Sequence, residues 1–175
     1  MGFIEETGAA QYYRDARILP IYEGTNGIQA NDLVGRKLPM QDGAVMAAFV
    51  AEMRETAALA KSSNRPEMAP MGERLDEVLD ALDEATAFML ARIKSAPSDA
   101  LAGSVAYLRM AGLAAGGHFL IRGALADAGA ASDPLRLAVA RFYADGLLPQ
   151  ALGLLAPATA GAEALFAVES DRLAG

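Results

Sequence analysis

Apolar residues recur every three or four positions from one end of this chain to the other, and almost nothing alternates with a period of two. That spacing commits the chain to an all-α fold. It is clearest where Leu75, Val78, Leu79, Leu82, Ala85, Met89 and Ile93 fall on one helical face and Asp76, Glu77, Asp80, Asp83 and Glu84 on the other. The acidic run reads as a solvated face.

The same logic sets the neighbouring elements. From about Ala44 a helix places Val45, Met46, Phe49, Val50 and Met53 in one stripe, with Glu52, Arg54 and Glu55 facing away. The polar stretch "KSSNRPEMAP" closes it. Beyond "SAPSDA", residues 100 to 126 are nearly apolar all round. Arg109, His118 and Arg122 interrupt them, so they read as a central buried helix and not a membrane span. Gly112, Gly116 and Gly117 would let a neighbouring backbone come close, and His118 reads as a packed histidine. Ser132 or Asp133 supplies an N-cap with Pro134 in the first turn. Leu135, Val139, Phe142 and Tyr143 should point inward, Pro149 should end the run, and "TAGAEALFAVES" supplies a last short helix. Four long helices with short connections predict an up-and-down bundle from residue 41 onward.

The first 40 residues differ in kind. Thr7 or Gly8 opens a short helix through "AAQYYRDAR", which Pro20 stops, and a second begins after Thr25 or Asn26 and runs to the break at Pro39. They read as short helices on a loop-rich attachment.

Charge and composition remove several function classes. The 22 acidic residues outnumber the 15 basic ones, net charge −7, and no Lys/Arg cluster tracks a phosphate backbone, so nucleic acid is not the expected partner. No cysteine is present and one histidine stands alone, which excludes thiolate chemistry and a histidine-rich metal site; no metal is expected. The eight methionines read as core gap-fillers. "MGFIEETG" carries no secretory signal, and a cytoplasmic location is expected.

"RILPIYEGTNGIQ", residues 17 to 29, sets a glutamate between a tyrosine and a glycine at the head of a helix. Glu23 there has two readings. It either favours the positive end of the helix dipole, or it acts as a general base held by Ile18, Leu19, Ile21 and Tyr22 in an apolar pocket, where desolvation raises a carboxyl pKa. Gly24 would let a ligand approach the backbone, and Thr25 and Asn26 add donors. The charges of "RDAR" either form surface pairs or fix the loop that carries Glu23; the second reading is preferred.

"GFIEETGAAQYYRDARILPIYEGTNGIQ" resembles the C-terminal signature of the acyl-CoA dehydrogenase family, flavoproteins that introduce a 2,3-double bond into acyl-CoA thioesters. The resemblance covers roughly the first 38 residues and rests on "YRDARI" followed by "IYEGT". It implies that Glu23 is the catalytic base, that Gly24 contacts substrate, and that Thr25, Asn26 and Gly27 contact FAD. Two departures stand out: the glutamine and paired glycine that precede "GF" in the signature have no counterpart here, where only Gly2 and Phe3 remain, and Gln11 replaces an arginine. The form "GFIEETGAAQ" is most similar to members that act on 3-methylthiopropanoyl-CoA; medium- or long-chain acyl-CoA is the other expectation.

The expected organisation is therefore residues 1–40 as the end of the acyl-CoA dehydrogenase C-terminal helical domain and residues 41–175 as an additional helical bundle, resembling the extension of a larger subgroup through "ARFYADGLLPQALGL". The chain reads as the C-terminal piece of a longer enzyme, inactive alone. The resemblance further implies electron-transfer flavoprotein or a similar acceptor as partner, and a homo-oligomer. A non-catalytic oligomerisation or interaction module is the alternative.

Overall fold

The computed structural model describes residues 4–127 and 133–173, and within them the regular structure is helical throughout. Gly2, Phe3 and Ser132 lie outside the described residues. Helix α1 spans Ala9–Ala16 and α2 spans Asn26–Asp32. A wider turn over Leu33–Lys37 then closes with Leu38 N–H donating to the Leu33 carbonyl at 2.7 Å. The bundle helices are α3 (Ala44–Lys61), α4 (Met68–Ser95), α6 (Ser104–Ala126) and α7 (Pro134–Gly146), with the short α5 (Pro97–Ala102) leading into α6. Beyond α7, a 3-10 segment over Leu148–Leu154 precedes α8 (Leu155–Thr159), and α9 spans Ser170–Leu173. "TAGAEALFAVES" forms a 3-10 turn over Glu163–Phe166 instead of the expected helix. The left-handed Gly161 and the bond from Ala162 N–H to Asp99 Oδ1, 3.0 Å, fix the chain's direction there.

Adjacent bundle helices alternate in direction. Arg54 on α3 reaches Asp83 on α4 while Lys61, two turns on, reaches Asp76, so the two run antiparallel. Tyr143 Oη donates to the Leu113 carbonyl at 3.2 Å, and α7 returns beside α6. The central pair, α4 and α6, packs on both α3 and α7.

The core follows the predicted stripe of α4: Leu75, Val78, Leu79, Leu82, Ala85 and Met89 are buried and Ile93 is half-buried. Met53, Met68, Met71 and Met110 fill the space around them, as gap-filling thioethers do. Each such side chain contributes about 1.5–3 kcal/mol relative to exposure. Tyr107 of α6 is fully buried with its hydroxyl 2.9 Å from Thr86 Oγ1. Thr86 spends its own proton on the Leu82 carbonyl, 2.7 Å away, which leaves Tyr107 as the donor. Burial, with Asp83 nearby, pushes the phenol up to about 12, against a lowering by the Thr86 contact.

Three sequence expectations are corrected in the bundle. Leu135, Val139 and Phe142 point outward, because α7 packs through its small residues Ala140 and Ala144 and so sits close to α6. Tyr143 alone of that group turns in, half-buried. Val45 at the start of α3 is exposed, whereas Met46 and Phe49 are half-buried. A side chain on Gly116 or Gly117 would run into Tyr143 or Leu148, but at Gly112 it would meet nothing within 4 Å. The acidic face of α4 is less idle than its pattern suggests: Asp80 and Asp83 bind Arg54 at 2.8 and 2.7 Å, and Asp76 binds Lys61.

Asp133 is the N-cap of α7, accepting from Leu135 N–H at 2.9 Å. Among the described residues no helix is long and apolar enough to cross a membrane.

Candidate functional site

The site is built by a reversal of the chain between α1 and α2. Residues 17–23 leave α1 in overlapping turns, with Ile21 and Tyr22 N–H both donating to the Ile18 carbonyl at 3.0 Å. Glu23 then takes φ 55° and Gly24 φ 99°, two successive left-handed residues. Only glycine adopts the second readily, and a side chain there would press on Ile28 Cγ2 at 3.3 Å. The reversal presents the Glu23 side chain to solvent at the head of α2.

Two contacts hold the bend. Thr25 is the N-cap of α2, its Oγ1 accepting from Ile28 N–H at 3.4 Å, while its carbonyl accepts from Gln29 N–H at 2.9 Å. Gln29 Nε2 reaches back to donate to the Glu23 carbonyl at 2.6 Å. Sequence reasoning missed Gln29, since a glutamine one turn into a helix signals nothing until the bend exists. Asn26 and Gly27 form the first turn of α2, where a Cβ on Gly27 would come no closer than 4.0 Å to anything but its neighbours.

The base of the site is tied to the bundle. Ser104 Oγ donates to Asn31 Oδ1 at 2.8 Å, and Ala30, Val34 and Leu38 are buried. Asp32 is clasped by Arg36 at 2.6 Å and Lys37 at 3.1 Å; hydrogen bonds from these cations hold its carboxyl down at about 2.

The described residues do not form the expected apolar pocket around Glu23. Ile18, Leu19, Ile21 and Tyr22 are all more than half exposed, because the turns that reverse the chain fan these side chains outward. The preferred role for "RDAR" does not hold for Arg14 and Asp15. Arg14 pairs with Glu5 at 3.2 Å and Asp15 accepts from Gln11 at 3.1 Å, so among the described residues both side chains serve the outer surface of α1 and not the Glu23 turn. Gln11, where the family signature has an arginine, thus supplies Asp15 with a neutral donor.

The remaining polar feature lies in the bundle. His118 is fully buried, with neither ring nitrogen hydrogen-bonded. Its ring stands edge-on to Phe49 and Phe119, with centroids at 6.1 and 4.7 Å, and its Nε2 is 3.8 Å from Glu52, which Arg122 also binds. Burial lowers its pKa, against the opposing pull of Glu52. The described residues hold no group of three or more His, Asp or Glu suited to a metal ion.

The helical bundle, with a glutamate on a left-handed turn at one side, is matched over most of its length by two helical C-terminal families. Residues 49–169 match the family described as acetyl-CoA dehydrogenase C-terminal like, and residues 1–38 match the acyl-CoA dehydrogenase C-terminal domain. The chain belongs to the acyl-CoA dehydrogenase family.

Curated relatives agree. A 3-methylmercaptopropionyl-CoA dehydrogenase of Ruegeria pomeroyi is 47% identical over 126 residues, covering 72% of this chain and 21% of that protein. The broad-specificity linear acyl-CoA dehydrogenase FadE5 of Mycobacterium tuberculosis is 31% identical over 162 residues, covering 85% and 26%. A butyryl-CoA dehydrogenase of Syntrophomonas wolfei is 29% identical over 165 residues, covering 88% and 27%. The chain therefore spans about a quarter of the length of these relatives.

Proposed function

We propose that this chain is the C-terminal part of an FAD-dependent acyl-CoA dehydrogenase in which Glu23 is the catalytic base. The observation that carries the reading is the left-handed turn at Glu23 and Gly24, which sets a carboxylate at the head of a capped helix within the segment matched to the dehydrogenase C-terminal domain.

Glu23 takes the proton from the carbon next to the thioester carbonyl, and the electron pair of that C–H bond becomes the new double bond as the β-hydrogen departs with its own pair. Bound FAD supplies the acceptor for that hydride. The residues present fit a flavin edge: Gly27 leaves an open cradle at the first turn of α2, beside Thr25 and Asn26. Gly24 leaves substrate room to approach the backbone, and the Glu23 N–H is the donor suited to the developing enolate oxygen. The carboxylate becomes a strong base once water is excluded, and the exposed Ile18, Leu19, Ile21 and Tyr22 offer the apolar surface on which further domains close.

On this reading residues 1–40 complete the catalytic domain and residues 41–175 form an added bundle that helps assemble a homo-oligomer. Acyl-CoA is the substrate, 3-methylthiopropanoyl-CoA first among candidates and medium- or long-chain thioesters next. Electron-transfer flavoprotein or a similar carrier takes the electrons, in the cytoplasm. Residues 1–175 alone leave Glu23 in water and are inactive.

Glu23→Gln in the complete enzyme tests the reading. Oxidation of acyl-CoA thioesters should fall by about 10²- to 10⁴-fold while the yellow flavin stays bound. Activity near that of the unaltered enzyme rejects Glu23 as the base. Turnover of a panel of thioesters with an artificial electron acceptor ranks the substrates.

A further inference from the structure

Inside a helix a serine or threonine hydroxyl finds a partner in the carbonyl four residues back, and Thr86, Ser95 and Thr159 do so here at 2.7, 3.0 and 3.0 Å. Thr56, in the interior of α3, does not. It is only 4% exposed, yet its hydroxyl makes no hydrogen bond among the described residues. The oxygen is not sealed in the core either, for Thr56 lines a hollow of about 550 Å³ between α3 and α6.

The two helices run parallel beside this hollow: Phe49 meets His118, Glu52 meets Arg122, and Leu59 and Leu125 share its wall. Both therefore bring their C-terminal ends to the same side, and such ends favour positive charge. The last turn of α6 has no basic residue of its own. Arg65, from the connector after α3, is held there by the Ala124 carbonyl at 2.8 Å.

The charged side chains lining the hollow are Glu52, Glu55 and Arg122. Arg122 is taken by Glu52. The nearest further cations on α3 are turned to α4, Arg54 to Asp80 and Asp83 and Lys61 to Asp76. Glu55 has no ion pair among the described residues. Since Glu52, Glu55, Thr56 and Leu59 stand at i, i+3, i+4 and i+7, one face of α3 offers an unneutralised carboxylate, an unspent hydroxyl and an apolar wall together.

That set selects its ligand. An anion meets Glu55 and finds Arg122 occupied. A metal ion lacks ligands, because the described residues hold no group of three acids or histidines. A compact cation with several N–H donors and a hydrocarbon stem satisfies every free group at once.

We propose that the hollow between α3 and α6 binds a primary alkylammonium group, its nitrogen donating to Glu55 and to Thr56 Oγ1 and its stem lying along Leu59 and Leu125. The proposal does not depend on the role of Glu23.

The test uses the full 175-residue chain with hexylammonium chloride as probe. His118 is the only histidine and its Nε2 lies 3.8 Å from Glu52, so its single imidazole Cε1–H signal in a proton–carbon NMR spectrum reports on the hollow. Hexylammonium should move that signal saturably, and hexanoate and hexanol should not. E55Q should weaken the probe about tenfold, by loss of a charge-assisted bond. T56V, which keeps the side chain's shape, should weaken it about fivefold. Both variants keep the fold, which circular dichroism checks.

Nα-Acetyl-lysine amide distinguishes the two sources of such a group: tighter binding than hexylammonium assigns the hollow to a lysine side chain of another protein segment, weaker binding to a free amine. Absence of a saturable shift overturns the proposal, as does equal binding of hexanoate or hexanol. Unchanged affinity in both E55Q and T56V overturns it as well. Tighter binding of butylguanidinium than of hexylammonium assigns the hollow to an arginine-like group and overturns it too.

Discussion

The side-chain amide of Gln29 donates to the main-chain carbonyl of Glu23 across 2.6 Å, from one turn inside α2 back to the left-handed residue that precedes it. The bend that aims the carboxylate is thereby fastened to the helix it introduces, and the helix in turn is fastened to the bundle through Asn31 and Ser104. Loosening this bond should move the base without touching it.

For Gln29→Leu we predict a loss of about 1 kcal/mol in unfolding free energy, the usual net worth of one such bond. Urea denaturation of the chain measures it. In the complete enzyme the same change should lower kcat while flavin content is unchanged; unaltered kcat removes Gln29 from the positioning of Glu23.

Gly24→Ala should cost more, about 1–2 kcal/mol. The new Cβ meets both a φ of 99° and the Ile28 side chain at 3.3 Å. A urea midpoint equal to that of the unaltered chain contradicts a left-handed residue at this point of the turn.

His118 should make stability depend on pH. Its folded-state pKa is lowered, chiefly by burial, so the unfolded chain takes up a proton near pH 6.5 while the folded chain resists until lower pH. Stability is then fully present above about 6.5 and falls as pH drops through that value towards the folded-state pKa. Urea midpoints between pH 5.5 and 7.5 should show the decline, and His118→Leu should flatten it; an undiminished slope in that variant assigns the titration to another group.

Arg54 bridges α3 and α4 by meeting Asp80 at 2.8 Å, Asp83 at 2.7 Å and, more distantly, Asp76 at 3.8 Å. Replacing it with alanine leaves carboxylates near one another without their shared counter-ion. The pairs are partly exposed, so the expected loss is about 1 kcal/mol, shrinking in high salt. Thermal unfolding at low and high ionic strength separates this electrostatic loss from lost packing, which salt does not relieve.

Tyr107→Phe removes a buried hydroxyl that donates to Thr86 but leaves the ring in place. Thr86 keeps its own bond to the Leu82 carbonyl, so only an acceptor is orphaned and the loss should stay near 1 kcal/mol. A truncation such as Met89→Ala, which opens a cavity, should cost about 2–5 kcal/mol. Comparable losses in the two variants would show that the hydroxyl contributes as much as a buried core side chain.

Residue order alone was enough to set the helical class, the stripe of α4, two N-caps to within one residue, at Thr25 or Asn26 and at Ser132 or Asp133, and the presence of a glutamate at a helix head. Each of these is a local matter: periodicity fixes a face, and a cap is one side chain against the backbone beside it. Packing chose which face of α7 turned inward, because both faces are apolar: Ala140 and Ala144 sit in the core, and Gly116 leaves room for Tyr143 beside them. Packing also joined Gln29 to Glu23 and Ser104 to Asn31, since those partners meet only after the chain has reversed. It left Ile18, Leu19, Ile21 and Tyr22 in water, for a pocket needs walls from distant parts of a fold, and none of the described residues supplies them.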